Sequence, residues 1–90
     1  MQHSARAYAA SFGVVIFALR TARGLSQEAL AALVEAGQST VSRVEDGQVL
    51  LNAYEVTRYA SAFGLTPSDL LNRVERLYAR VQVTTTTSDH

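Results

Sequence analysis

The sequence predicts a compact all-α domain of five short helices, the last of them extended. Ninety residues suffice for one domain, and a hydrophobic fraction of 48% with a single proline indicates a globular chain. Gly24, Gly37, Gly47 and Gly64 interrupt the sequence at spacings that suit short helices. Almost every boundary signal along the chain is a helix signal, and strand-like alternation is confined to Val81-Gln82-Val83.

The first two helices are indicated by apolar spacing and by a cap. Phe12, Ile16 and Leu19 fall at i, i+4 and i+7, which places them on one face of a helix. Ser26 is an N-cap residue for a second helix over Gln27–Val34. We therefore expect two successive helices with an inward apolar face.

The third and fourth helices carry equally local signals. Val41 and Val44 form the inward edge of the third helix. Asn52 followed three residues later by Glu55 is a capping-box pattern that opens a helix over Ala53–Phe63.

The fifth helix has the strongest start signal. Thr66 is an N-cap residue, Pro67 takes the first helical position, and Asp69 adds an acid in the first turn. We expect the domain to extend to residue 83, and residues 84–90 to form a disordered tail.

Composition excludes several functions. The chain has no cysteine, and its two histidines lie near opposite ends, at His3 and His90, so no metal site is expected. No nucleophile–base pair, carboxylate pair or phosphate-binding glycine loop is present, and we expect neither an enzyme nor a cofactor. The apolar run at residues 12–19 is too short to span a membrane.

The charge balance is less decisive. Eight arginines oppose eight acidic residues, which gives a formal net charge of zero and a pI near 6.7. Nucleic-acid-binding domains usually have a basic surface, although a neutral chain can still carry one basic face.

A helix-turn-helix unit is predicted at residues 26–46. The second and third helices flank the short turn Glu35-Ala36-Gly37. With Val41 and Val44 turned inward, the outward face and flanks of the third helix are polar: Gln38, Ser39, Thr40, Ser42, Arg43 and Asp46. Such side chains can hydrogen-bond base edges and phosphates, but they also suit an ordinary solvated helix face.

Between Phe12 and Leu65 the sequence resembles the Cro/C1-repressor type of helix-turn-helix domain, the Xre family. The resemblance runs without a gap. It is carried by Phe12-Gly13, Leu19-Arg20, Arg23-Gly24-Leu25-Ser26-Gln27-Glu28, Leu30-Ala31, Ser39-Thr40-Val41-Ser42-Arg43-Val44-Glu45-Asp46-Gly47, Tyr59-Ala60 and Ala62-Phe63-Gly64-Leu65. It implies a lambda-repressor-like fold and a cytoplasmic, bacterial or phage-encoded regulator of transcription, which we expect to be a repressor.

The resemblance also implies roles for particular residues. It places the third helix in the major groove of double-stranded DNA, and Gln27 at a phosphate. The implied DNA contacts are Gln27, Gln38, Ser39, Thr40, Ser42 and Arg43. Arg20 and Glu45 are implied to form a structural ion pair between the first and third helices.

The chain departs from the family pattern in ways that weaken attraction to DNA. Glu35 replaces a turn glycine, Asp46 adds a negative charge, and the loop at residues 48–51 is apolar where basic residues are common. We expect modest affinity and a shallow salt dependence.

A homodimer is expected from the unusually apolar first and last helices. The first helix carries Val14, Val15 and Phe17, and the last repeats apolar residues at a 4-3-4 spacing. The predicted interface comprises Val15, Phe17, Leu70, Val74, Leu77, Tyr78 and Val81. The alternative is that these residues pack within their own domain. A dimer would place two third helices on a palindromic operator.

Two further functions remain open. The chain could be a helix-turn-helix module that binds another protein through apolar surfaces, which its zero net charge favours. It could also be an antitoxin that represses its own operon while binding a toxin. A neighbouring toxin gene would favour the antitoxin, and a phage or restriction-modification neighbourhood would favour a Cro-like or controller protein.

Overall fold

The chain folds into five α-helices with short connections. The computed structural model describes residues 4–88, with side chains through residue 82, and contains no strand within that part of the chain. The helices are α1 (Ala5–Ala22), α2 (Gln27–Val34), α3 (Gln38–Glu45), α4 (Ala53–Ala62) and α5 (Pro67–Ser88). The predicted fold class is confirmed.

The predicted caps account for the helix starts. Ser26 Oγ accepts from Ala29 N at 3.0 Å at the start of α2. Asn52 and Glu55 form the complete capping box of α4, with bonds of 2.8 and 2.9 Å. Thr66 Oγ1 accepts from Asp69 N at 3.0 Å at the start of α5. These bonds satisfy N–H groups that have no partner within the helix.

The core lies where the apolar faces of all five helices meet. Phe63, which directly follows α4, contributes to it as well. The largest completely buried side chains are Ile16, Leu30, Val41, Val44, Leu70 and Val74.

Helix α1 crosses the end of α3 at Gly13, without room for a side chain. A Cβ on Gly13 would lie 2.5 Å from the Glu45 carbonyl oxygen and 2.6 Å from that of Val44. Both atoms belong to backbone, which cannot rotate aside. Glycine at this position therefore sets how closely α1 approaches α3.

Helices α1 and α5 pack against each other, and their contact corrects part of the predicted dimer interface. Near the start of α1, Ser4 N donates to the Tyr78 hydroxyl at 3.2 Å and the Tyr8 hydroxyl donates to Glu75 Oε2 at 3.5 Å. Val15, Leu70, Val74 and Tyr78 are buried within this single chain. The rings of Tyr78 and Tyr8 lie 5.4 Å apart. These four residues belong to the chain's own core, because α5 packs against α1.

The other three predicted interface residues remain accessible. Phe17 is 51% exposed and Val81 is 46% exposed, whereas Leu77 is partly buried. Val14, on the same helix as Phe17, is 55% exposed.

Helix α5 continues past the predicted domain boundary. Sequence analysis ended the domain at residue 83 and began a disordered tail at residue 84, yet the helix runs through Ser88. After Pro67 the sequence contains neither glycine nor proline to interrupt a helix. Residues 89–90 of the predicted tail lie outside the described residues. Within the part of the chain that is described, no helix is long and apolar enough to cross a membrane.

Candidate nucleic-acid interface

A sharp turn joins α2 to α3. Glu35, the residue after α2, has φ 60° and ψ 45°, the left-handed conformation that glycine adopts most readily. Ala36 N donates to Ala31 O at 2.9 Å and closes the end of α2. The chain therefore makes the turn without the glycine that the family pattern has there.

Helix α3 presents two different faces. Val41 and Val44 are completely buried against the core. Gln38, Ser39 and Arg43 are exposed on the other side of the helix. The apolar face of α3 is therefore fixed by the core, while its polar face is accessible to a partner.

The remaining predicted contact residues border this polar face. Thr40 and Ser42, on the flanks of α3, are partly buried, as is Gln27 at the first position of α2.

Hydrogen bonds connect the starts of α2 and α3. Gln38 Nε2 donates to Gln27 Oε1 at 3.3 Å, and Gln27 Nε2 donates to Glu45 Oε1 at 3.0 Å. A carboxylate only accepts, so Glu45 fixes which end of the Gln27 amide faces it. The amide oxygen of Gln27 is thereby turned toward Gln38.

Glu45 is held in turn by Arg20. Arg20 Nε lies 2.5 Å from Glu45 Oε2, and Arg20 Nη2 donates to Oε1 at 3.0 Å. Arg20 Nη1 also donates to the Leu25 carbonyl oxygen at 2.8 Å. The side chains of Arg20 and Glu45 are only 11% and 5% exposed, respectively. The ion pair joins α1 to α3 and to the loop before α2.

The contact with Glu45 favours the charged form of Arg20, which arginine keeps at physiological pH in any environment. Hydrogen bonding to Glu45, reinforced by the negative charge of that carboxylate, raises the pKa of Arg20, although burial opposes the shift. A permanently charged guanidinium suits a bidentate contact with a poorly solvated carboxylate.

Two relationships had no signal in the sequence. One is the bond from Gln27 to Glu45, which joins residues eighteen positions apart. The other is an ion pair between Arg58 on α4 and Glu35 in the turn, with Nη2 2.8 Å from Oε2. Neither follows from a periodic pattern, because each depends on how the helices cross.

Comparison with known proteins places the chain in a family. A family model described as a helix-turn-helix domain matches residues 11–74, more than half of the chain. No curated protein sequence is significantly similar to the chain.

Several solved structures have a similar fold. The restriction-modification controller protein C.AhdI from Aeromonas hydrophila is 38% identical, with a TM-score of 0.70, over 76% of this chain and 99% of that protein. The clp gene regulator ClgR from Corynebacterium glutamicum is 16% identical, with a TM-score of 0.82, over 91% of this chain and 87% of ClgR.

A third structural neighbour is an HTH_3 family transcriptional regulator from Vibrio cholerae. It is 20% identical, with a TM-score of 0.72, over 82% of this chain, which spans only 42% of that protein. The matching family is a helix-turn-helix domain, and the three neighbours are a gene regulator, a restriction-modification controller and a transcriptional regulator. The chain belongs to the helix-turn-helix domain family, and its fold is that of the Xre-type DNA-binding transcriptional regulators.

Proposed function

We propose that the chain binds double-stranded DNA sequence-specifically as a homodimer on a palindromic operator and represses transcription. The observation that carries this proposal is the polar face of α3, exposed above a fully buried Val41 and Val44. A short helix held in this way can enter the major groove with its side chains toward the base edges. The protein would act in the cytoplasm, at the nucleoid when bound.

The proposed contacts divide into two groups. Arg43 and Gln38 have side chains that pair with base edges, Arg with guanine and Gln with adenine. Gln27 is suited to a phosphate oxygen, because it stands at the N-terminus of α2, where backbone N–H groups favour an anion. Ser39, Thr40 and Ser42 complete the contact surface as short hydroxyl donors to bases or phosphates.

The charges around this surface suggest that affinity is modest. Arg43 is exposed on α3, but Glu28 on α2 and Asp46 after α3 are also exposed. Because acids offset the basic residue, few counterions would be released on binding, and the salt dependence should be shallow.

Selection of bound sequences from random duplex DNA at low salt tests the proposal. We expect a palindromic motif with half-sites about one helical turn apart. No enrichment of any motif would contradict sequence-specific binding.

Arg43→Ala tests the main contact on the selected operator. We expect the free energy of binding to weaken by about 1–3 kcal/mol, with relaxed specificity at one base pair. Arg76→Ala, which removes an equal charge from an exposed site on α5, is the matched control. Equal losses in both variants would mean that only net charge had been measured.

A protein-interaction module is the second candidate function. Val14 and Phe17 on α1 and Leu50 after α3 are each more than half exposed. Exposed apolar residues that form one continuous patch mark protein-interaction sites. An antitoxin would combine this property with DNA binding, and a toxin gene beside the coding sequence would favour it. A restriction-modification operon there would instead favour a role like that named for C.AhdI, the 38% identical controller.

A further inference from the structure

The end of α2 differs from the ends of the other helices that precede a turn. Gly24, Gly47 and Gly64 follow α1, α3 and α4, and each has a positive φ between 68° and 74°. Glu35 occupies the corresponding place after α2 and is the only non-glycine residue with a positive φ among residues 4–88. A residue with a Cβ is disfavoured in this conformation. The backbone bond from Ala36 N to Ala31 O offsets part of this cost, and side-chain contacts can offset more of it.

Arg58 supplies such contacts from α4. Its Nη2 lies 2.8 Å from Glu35 Oε2 and donates to the Leu33 carbonyl oxygen at 3.4 Å. Leu33 belongs to the last turn of α2, where carbonyl groups lack partners within the helix. One guanidinium therefore contacts both the end of the helix and the residue that follows it.

The location of Arg58 relates this contact to the polar face of α3. The side chain of Arg58 is 32% exposed, with its Nε buried, whereas the side chain of Glu35 is 69% exposed, so the ion pair lies at the surface. Together with Glu35, Ala36 and Thr40 it lines a cleft of about 220 Å³ between α4, the turn and α3. The turn joins α2 directly to α3, so its conformation contributes, together with the core packing of Val41 and Val44, to the direction in which α3 leaves α2.

We propose that Arg58 is a positioning residue for DNA recognition: it holds Glu35 in the left-handed turn and so fixes the start of α3. This inference rests on the DNA-binding function proposed above. A glycine at position 35 would adopt the left-handed conformation without help, whereas Glu35 has the contact with Arg58. Its effect should consequently depend on which residue occupies position 35.

A double-mutant cycle tests this dependence. Arg58→Met removes the charge and keeps an apolar stem, and Glu35→Gly allows the left-handed conformation without strain. We expect Arg58→Met alone to weaken operator binding about threefold, the size typical of a partly exposed ion pair. When Glu35→Gly is also present, Arg58→Met should change the logarithm of the operator dissociation constant by less than half as much.

Arg76→Met, on α5, controls for the loss of one positive charge. We expect it to weaken binding less than Arg58→Met and by the same factor with or without Glu35→Gly. If Arg58→Met also had the same effect in both backgrounds, Arg58 would act through charge alone and the proposal would be wrong.

A measurement without DNA separates this proposal from the proposed function. Backbone amide chemical shifts of residues 38–41 should change in Arg58→Met and largely return to their original values when Glu35→Gly is added. Unchanged shifts at the start of α3 would overturn the positioning role even if the wild-type protein binds DNA. If the amide shifts of residues 38–41 change in Arg58→Met but the wild-type protein selects no operator, the effect of Arg58 on the turn would be upheld. The DNA-binding function would then be refuted.

Discussion

The side-chain amide of Gln27 donates to Glu45 Oε1 at 3.0 Å, and Glu45 is itself one partner of the buried ion pair with Arg20. A residue proposed to contact DNA is thus oriented by a carboxylate that joins α1 and α3. Local stability and the geometry of the proposed interface are coupled at this carboxylate.

Arg20→Met should strongly destabilise the fold. The substitution leaves the Glu45 carboxylate, only 5% exposed, without its cation. Removing one partner of a buried ion pair costs about 3–5 kcal/mol in the free energy of unfolding. Urea denaturation measures this loss, with Arg6→Met, at an exposed site on α1, as the control. A loss below about 1 kcal/mol would show that Glu45 is better solvated than its exposure indicates.

Gly13→Ala should also destabilise the protein. The added methyl group would meet the backbone carbonyls of Glu45 and Val44 at 2.5 and 2.6 Å, so α1 must move away from α3. We expect a loss of about 1–3 kcal/mol in the free energy of unfolding, the usual cost of overpacking.

Gly37→Ser is the comparison for Gly13→Ala, because it should raise the free energy of unfolding and not lower it. Gly37 is the N-cap of α3, has φ −86°, and offers no side-chain bond to the helix. A serine hydroxyl there should add a few tenths of a kcal/mol. Similar destabilisation by Gly13→Ala and Gly37→Ser in thermal unfolding would contradict this explanation of the α1–α3 contact.

Stability should fall at high pH because of Tyr59. Burial, with smaller contributions from the negative charges of Glu55 and Glu45, raises the pKa of Tyr59 to about 12. In the unfolded chain the phenol ionises near its ordinary pKa of about 10. Between these values the unfolded state binds fewer protons, so the free energy of unfolding should decrease by about 1.4 kcal/mol for each pH unit.

Tyr59→Phe isolates that contribution. Burial also raises the pKa of Tyr8, so the difference between the wild-type and Tyr59→Phe curves is the relevant quantity. That difference should grow from pH 10 to 12 in urea denaturation. Because the Tyr59 hydroxyl is buried without a hydrogen-bond partner among the described residues, the variant should be at least as stable as wild type at pH 7. Parallel curves would refute the raised pKa.

Phe17→Gln should weaken the proposed homodimer. Phe17 is 51% exposed on α1, and with a polar side chain at this position less apolar area would be buried when the dimer forms. Sedimentation equilibrium should give a dissociation constant about tenfold higher, as expected for a buried aromatic contact. Leu33→Gln, at a site 49% exposed on α2, is the matched control. A wild-type protein that is monomeric at high concentration would exclude the dimer.

The sequence by itself determined the helices, their caps and the helix-turn-helix spacing. Asn52 and Glu55 form a capping box wherever the chain continues as a helix, and Val41 and Val44 share a face in any α-helix. The exposed polar side of α3 could be predicted for the same reason. These features depend on contacts within about one helical turn, which a single sequence records.

The tertiary structure decided which surface covers each apolar stripe and which distant residues meet. The spacing of Leu70 and Val74 predicted an apolar face on α5, but packing against α1 made that face core and not a subunit interface. The bond from Gln27 to Glu45 and the hold of Arg58 on Glu35 likewise depend on how the helices cross. An apolar period specifies that a face must be buried, whereas the partner that buries it is chosen by long-range packing, which no local pattern encodes.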